Sequence, residues 1–271
     1  MKLAEYIKNS ALQGNERLSA LENKLAAAGV KLYRINSPGE MEPDTDMLLS
    51  IGGDGTFLSA SKRVGETEIP VLGVNLGRLG FLSENAPEDV ADPILAGNYE
   101  IEHRALLRVE MPFEHDIYPY ALNEVCIHRQ GPSIIGIILS IDGQTLPQFY
   151  ADGILVATSS GSTAYSLSAG GPICTPEARV FVITPIAPHN LNVRPIVVPR
   201  SSTISISLVS RDSNVMLSID NRSIPVPKDT TFTVSMAQFS LKRVRLPRSG
   251  FVKALTEKLF WGEDKRNGNG Q

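Results

Sequence analysis

Only two of the 271 residues are cysteine, Cys126 and Cys174. They lie far apart, each inside an apolar stretch, and lack metal-ligand spacing. That argues against a disulfide framework or a cysteine-held zinc site, and for buried free thiols in a reducing, cytoplasmic compartment. The four histidines do not cluster in sequence, so a histidine zinc site is not expected either. No apolar segment follows Met1-Lys2-Leu3-Ala4-Glu5-Tyr6, so this start does not read as a signal peptide. The apolar runs are too short, and too broken by Gly and Pro, to span a bilayer. With 26 Lys+Arg against 29 Asp+Glu, no basic excess argues for nucleic acid. The one charge-rich stretch, 253–266, is mixed in sign and reads as a solvated helix and tail. The GxxxxGK[ST] loop and the GxGxxG fingerprint are both missing, as is any internal repeat. What remains is an ordinary globular composition, 42% hydrophobic and 20% charged, long enough for one large domain or two modest ones.

The most informative stretch is Leu48-Leu49-Ser50-Ile51-Gly52-Gly53-Asp54-Gly55-Thr56. An apolar run ends in three glycines around one carboxylate, and a helix-compatible segment, 57–64, follows. The order reads as strand, tight turn, helix. Glycines let a ligand approach the backbone closely, and the helix start offers unpaired N–H groups to an anion. A single carboxylate there suggests phosphoryl transfer, with Asp54 as base or metal partner.

Residues 1–98 alternate between helix and strand. Apolar residues at Leu18, Leu21, Leu25 and Ala28 have helical spacing, and Gly29 follows as a C-cap. Segments 30–35, 46–51 and 70–75 read as strands, and 87–95 as a short helix with Pro87 in its first turn. The strand at 70–75 runs into a second glycine-rich loop, Gly77-Arg78-Leu79-Gly80-Phe81. Such alternation implies a parallel sheet with its site at the strand carboxyl ends. From 99 to 250 the texture changes to short β-branched segments separated by turn residues. Asp142-Gly143 is a hairpin signal, and Thr203-Ile204-Ser205-Ile206-Ser207-Leu208 alternates as a half-buried strand should. This part reads as a β-sandwich or related layered sheet. Helical spacing returns at 251–261, a segment expected to pack back on the first domain, and 264–271 reads as a disordered tail.

Three further segments bear on chemistry. Asn123-Glu124 pairs a carboxamide with a carboxylate, a combination able to grip a ribose diol. Taken alone, the dipeptide carries almost no signal. The stretch from Asp152-Gly153 through Ser160-Gly161-Ser162-Thr163-Ala164-Tyr165-Ser166-Leu167-Ser168 to Gly171-Pro172 surrounds one aromatic with small hydroxyl residues and glycines. It offers backbone N–H groups and short hydroxyls to a ligand, and Tyr165 to a ring face. Gly161-Ser162-Thr163 is not a GxSxG elbow, so a serine nucleophile is not expected. In the fourth, Thr184-Pro185-Ile186-Ala187-Pro188-His189 leads to Arg194-Pro195 and Pro199, and four prolines bracket two strands and a bend. His189 reads as a residue that fixes the bend rather than as a catalyst.

Together these four segments resemble the NAD kinase family, over about 46–199 and more weakly beyond. The glycine–aspartate turn is shared with lipid kinases, whereas Thr163-Ala164-Tyr165-Ser166-Leu167-Ser168 and Pro188-His189…Arg194-Pro195 are far more specific. The resemblance implies a Rossmann-like α/β domain followed by a β-sandwich-like, NAD-binding domain, with the site at their interface. It implies a homodimer or homotetramer that makes NADP by phosphorylating the 2′-hydroxyl of the adenosine ribose of NAD, using ATP or polyphosphate and Mg²⁺. By resemblance Asp54 is the general base, and Gly52, Gly53, Gly55 and Thr56 form the donor-phosphate loop. Asp54, Gly55, Phe81, Asn123, Glu124, Asp152, Ser160, Thr163, Ala164, Tyr165, Ser166, Leu167, Ser168 and Ala187 form the NAD site. Mg²⁺ bridges the donor phosphates, with no direct protein ligands assigned. Three departures carry expectations of their own. Asp220-Asn221-Arg222 stands where a glycine and a glutamine often follow the Asp, so that turn is not counted as a ligand contact. Leu3-Ala4-Glu5-Tyr6-Ile7 is a poor version of the family's apolar first strand, so a frayed N-terminal edge is expected. Tyr150 stands two positions before Asp152, where relatives commonly carry a basic residue, and the lost cation is expected to weaken phosphate contact or alter dinucleotide selectivity. The competing readings are a diacylglycerol or sphingoid lipid kinase on the same glycine turn, and a non-catalytic dinucleotide-binding protein.

Overall fold

The structure, a computed structural model, describes residues 1–77 and 80–262. The tail expected at 264–271 lies outside the described residues, as do Arg78 and Leu79 of the second glycine loop. The chain divides into two compact units: Met1–Glu102 with the chain from Lys242 onward, and His103–Leu241.

The first unit is built on four parallel strands, β1 (Lys2–Ile7), β2 (Lys31–Arg34), β3 (Met47–Ile51) and β4 (Val71–Val74), in the order β4-β3-β1-β2. Beyond β4, Arg243 of the long strand Phe232–Arg245 pairs in parallel with Val71. All five residues of β3 are buried, as a parallel strand covered on both faces requires. Helix α1 (Glu16–Ala27) is capped by Asn15, whose Oδ1 accepts the N–H groups of Arg17 and Leu18, and it buries Leu18, Leu21 and Leu25. Gly29 follows with φ +81° and closes the helix. Helix α2 (Asp54–Val64) buries Phe57, Ala60 and Val64. Chain order β1, β2, β3 combined with spatial order β3-β1-β2 creates a topological switch between β1 and β3, where open α/β sheets place their ligands.

The second unit is antiparallel. One sheet runs Ile196–Pro199, Val180–Ile186, Gly153–Thr158, Glu124–Arg129, Asn214–Ile219, Arg222–Pro227. Facing it are Phe149–Ala151, Ile135–Ile141, Ile204–Val209 and the start of the long strand Phe232–Arg245. Phe232, Ile137 and Ile206 from one sheet and Phe181, Ile154 and Leu217 from the other share one core. This is the sandwich the alternating pattern implies. Asp142 and Gly143 do form the two-residue hairpin turn joining Ile141 to Gln144, and Ile204–Val209 alternates buried and less buried positions. Among the described residues no helix is long and apolar enough to cross a membrane.

The expected frayed N-terminal edge is wrong. β1 is an inner strand, in register with β2 on one side (Leu3 opposite Leu32) and β3 on the other (Leu3 opposite Met47). Its Leu3, Ala4 and Tyr6 are buried. Glu5, the residue that weakens the strand pattern, is only 3% exposed and receives Arg34 Nε on Oε2 at 3.3 Å. Arg34 also holds Glu22 at 2.8 Å, and Glu5 Oε1 has no hydrogen-bond partner. Burial, with the Glu22 charge adding to it, pushes Glu5 from 4.5 up to about 7 against the pull of Arg34. The folded chain therefore holds this proton more tightly than the unfolded chain. Glu5's favourable contribution is intact below its ordinary value and is lost as pH rises through about 7. We expect Glu5→Gln to gain on the wild type from about pH 5 to about pH 8, by on the order of 3 kcal/mol at the top. Denaturant melts across that range check it; a pH-independent difference would refute the assignment.

Candidate active site

β3 delivers Gly52 and Gly53 to the start of α2, which begins at Asp54 with Gly53 in the N-cap and no side-chain capping bond. An uncapped helix start presents unpaired N–H groups to an anion. Asp54 faces the second glycine loop. Its Oδ2 accepts the N–H of Phe81 at 2.8 Å, and its Oδ1 accepts those of Leu82 at 3.0 Å and Ser83 at 2.9 Å. One carboxylate thus ties together the loops that follow β3 and β4. The approach is so close that a Cβ on Gly80 would lie 1.8 Å from Asp54 Oδ1. Charge-assisted bonds of this kind are stronger than neutral ones. Oδ2, with one donor, keeps a lone pair for a further proton. The first unit therefore brings Asp54, Gly55, Thr56 and Phe81 together, with Gly53 and Gly55 exposed and Asp54 half-buried.

In the second unit Asn123 and Glu124 sit at the head of strand Glu124–Arg129, both 9% exposed. They are held by a residue whose partners the sequence does not reveal. Asp220 occupies the two-residue turn between Asn214–Ile219 and Arg222–Pro227, and its carboxylate reaches across to the backbone. It accepts the N–H groups of Leu122 (3.0 Å), Asn123 (2.8 Å) and Glu124 (3.3 Å). Arg222 stands 3.7 Å from Asp220 and donates to the carbonyls of Tyr118, Tyr120 and Ile219. Asp-Asn between two alternating segments signals the turn; nothing local signals where its carboxylate points. Glu124 Oε2 is buried without a partner. Burial first, then the Asp220 charge, push Glu124 up to about 8, while the N–H of Tyr165 draws it back.

The serine-rich stretch packs on this pair. Thr158 donates its N–H to the Asn123 carbonyl and its hydroxyl to that of Leu122. A Cβ on Gly161 would come within 2.1 Å of the Asn123 oxygen, so only glycine permits this approach. Ser162 and Ser166 are fully buried; Ser162 bridges Ser159 and Cys174, and Ser166 bonds Thr184. Ser160, Thr163, Ala164 and Leu167 are partly exposed, and Ser168 and Tyr165 are exposed. Burial, and after it the charges of Cys126, Glu124 and Asp152, raise the Tyr165 phenol. Asp152 and Ala187 stand at the other end of strand Gly153–Thr158, where Asp152 N–H donates to the Ile186 carbonyl and the Asp152 charge still reaches Tyr165. Arg129 grips the Asp152 carboxylate through Nε at 2.7 Å. A cation thus reaches Asp152 from a neighbouring strand, which a reading along one segment does not reveal. His189 donates its backbone N–H to the Tyr150 carbonyl.

Two family models match: the ATP-NAD kinase N-terminal domain over residues 22–99 and the ATP-NAD kinase C-terminal domain over residues 122–246. The chain is 44% identical over 228 residues to an NAD kinase of Bacteroides fragilis, covering 82% of this chain and 79% of that one. It is 39% identical over 254 residues to an NAD kinase of Flavobacterium psychrophilum, covering 91% and 86%. Among solved structures, yeast NADH kinase complexed with NADH superposes with TM-score 0.81 at 27% identity, over 97% of this chain and 89% of that one. An NAD kinase from Archaeoglobus fulgidus in complex with ATP superposes with TM-score 0.76 at 27% identity, over 92% and 95%. These matches do not favour the lipid-kinase reading of the glycine turn. With both domain models matched in order, and relatives near two-fifths identical over most of its length, the chain belongs to the NAD kinase family and is a kinase.

Proposed function

We propose that this chain phosphorylates the 2′-hydroxyl of the adenosine ribose of NAD, with ATP or polyphosphate as donor. The observation that carries this is the Asp54 carboxylate, pinned by three backbone N–H groups at the open start of α2. Two relatives of the same fold support it, one solved with NADH and one with ATP. In the proposed step the ribose oxygen attacks the terminal phosphorus of the donor and the bond to the leaving phosphate breaks. The hydroxyl proton passes to Asp54, because an alcohol needs a base as the new P–O bond forms. The exposed Gly53 and Gly55, with Gly52 and Thr56, would bring backbone N–H groups to the donor phosphates. Glu124 Oε2, buried without a partner, would find one in a ribose hydroxyl, with Asn123 beside it. Thr163, Ala164 and Tyr165 would line the adenine, with Phe81, Ser160, Ser166, Leu167 and Ser168 around it. Asp152 would meet the nicotinamide end, and Ala187 would back the adenine pocket.

Among the described residues no group of three or more His, Cys, Asp or Glu side chains could hold a metal ion. No protein cage for Mg²⁺ stands among the described residues. The ion would be carried by donor phosphates and water, as Mg²⁺ commonly is, and no step above runs through it.

Incubation with NAD, ATP and Mg²⁺, followed by an NADP-specific dehydrogenase, should register NADP. No product with ATP, polyphosphate or NADH would remove the reading. Asp54→Asn should leave a folded protein that still binds NAD while turnover drops by roughly 10³-fold. Near-normal turnover in that variant would take Asp54 out of the base role. Asp220→Asn leaves at least one buried N–H unpaired, at a cost of about 1–3 kcal/mol. We expect its KM for NAD to rise roughly tenfold while the KM for ATP holds, and Gly161→Ala to behave alike. Equal changes in both constants would mean that Asp220 supports the fold at large rather than the Asn123–Glu124 pair.

A further inference from the structure

The C-terminal helix Phe251–Leu259 brings one unexplained group to the Asp54 region. Lys258 is half-buried, and its Nζ is sealed from solvent with no hydrogen-bond partner. The ammonium lies over the Phe81 ring, 4.8 Å from its centroid. Phe81 is the residue whose backbone N–H holds Asp54 Oδ2. The acids nearby are otherwise engaged: Asp54 accepts three backbone N–H groups, and Glu84 is paired with Arg243, which also holds Glu102 at 3.0 Å. An ammonium carries three donors, and a ring face satisfies none of them as a hydrogen bond. A sealed, unpaired cation is costly and is normally matched to an anion.

Two independent features of this spot therefore ask for negative charge: the uncapped start of α2 and the unpartnered ammonium. We propose that Lys258 is a phosphate-binding residue of the kinase, which meets the oxygens of the donor's terminal phosphoryl group as it passes over Asp54. The inference rests on the reading under Proposed function, because the phosphoryl group is the anion that reaction brings to Asp54. The charge in such a transfer spreads over the equatorial phosphoryl oxygens, and a positioned cation stabilises it there. The environment agrees with an unmatched cation. Burial depresses Lys258, and the charges of Asp54, Glu84 and Glu257 do not restore it against that of Arg243.

The test compares wild type, Lys258→Met and Lys258→Arg. Each is assayed with ATP varied at saturating NAD and with NAD varied at saturating ATP. In parallel, each is titrated calorimetrically with inorganic triphosphate alone. Lys258→Met should lose roughly 10²-fold in kcat/KM for ATP, with the KM for NAD unchanged, and should bind triphosphate at least about tenfold more weakly. Lys258→Arg should recover most of both, since it keeps the charge. A melting temperature no lower than that of wild type is expected for Lys258→Met, since it removes a costly buried charge. Triphosphate binding and ATP kinetics within about twofold of wild type in Lys258→Met would overturn the proposal. So would matched losses in both substrates that arginine does not rescue, which would make the lysine a strut for its helix. Failure of the kinase reading is separable: wild type would then form no NADP, whereas the triphosphate titration would still report on Lys258.

Discussion

Everything at the candidate site hangs on carboxylates that are spent on backbone. Asp54 accepts three successive N–H groups from residues 81–83, and Asp220 accepts three successive N–H groups from residues 122–124. Each unit uses one aspartate to fix the loop that carries its functional side chains. The logic is that of preorganisation. Loop N–H groups that would otherwise face water are ordered around a fixed charge, so the neighbouring groups do not have to be arranged at the moment of reaction. The two acids differ in what is left over. Asp54 is half-buried and retains acceptor capacity toward solvent, whereas Asp220 is buried and backed by Arg222. One can take part in chemistry, and the other can only hold.

The same contrast governs the buried charges of the first unit. Arg243 is nearly inaccessible and meets both Glu84 and Glu102, and Glu5 meets Arg34. Such pairs add little net stability relative to apolar packing, but breaking one strands a charge. They act as constraints on arrangement. Arg243 fixes the end of the long strand beside β4, close in sequence to the helix that carries Lys258.

Local chemistry was legible in the sequence, and distant chemistry was not. The glycine–aspartate turn, the helix that ends at Gly29 with its Leu18, Leu21 and Leu25 stripe, and the Asp142-Gly143 hairpin each depend on a few neighbouring residues, and each was read from periodicity and turn residues, although the Asn15 cap was not. β1 was misjudged because Glu5 breaks its apolar pattern, and the arginine that answers it lies on the next strand. The roles of Asp220, Arg129 and Lys258 escaped notice for the same reason. Their partners are 23 or more residues away along the chain, and no spacing rule reaches that far. The serines show the converse. Ser162 and Ser166 look like ligand contacts in a glycine-rich stretch, yet their hydroxyls are used internally to shape the loop.

The strands Glu100–Glu110 and Phe232–Arg245 carry the chain out of the first unit and back into it, so the second unit is an insertion. Synthesis runs in one direction. A ribosome that has released residues 1–241 has delivered every residue of the second unit, but not Arg243, the strand end beside β4, or the lysine over Phe81. The half of the protein that is translated first is therefore the half that must wait. It holds Glu84, Glu102 and the Phe81 loop without their cations until the second unit has been read.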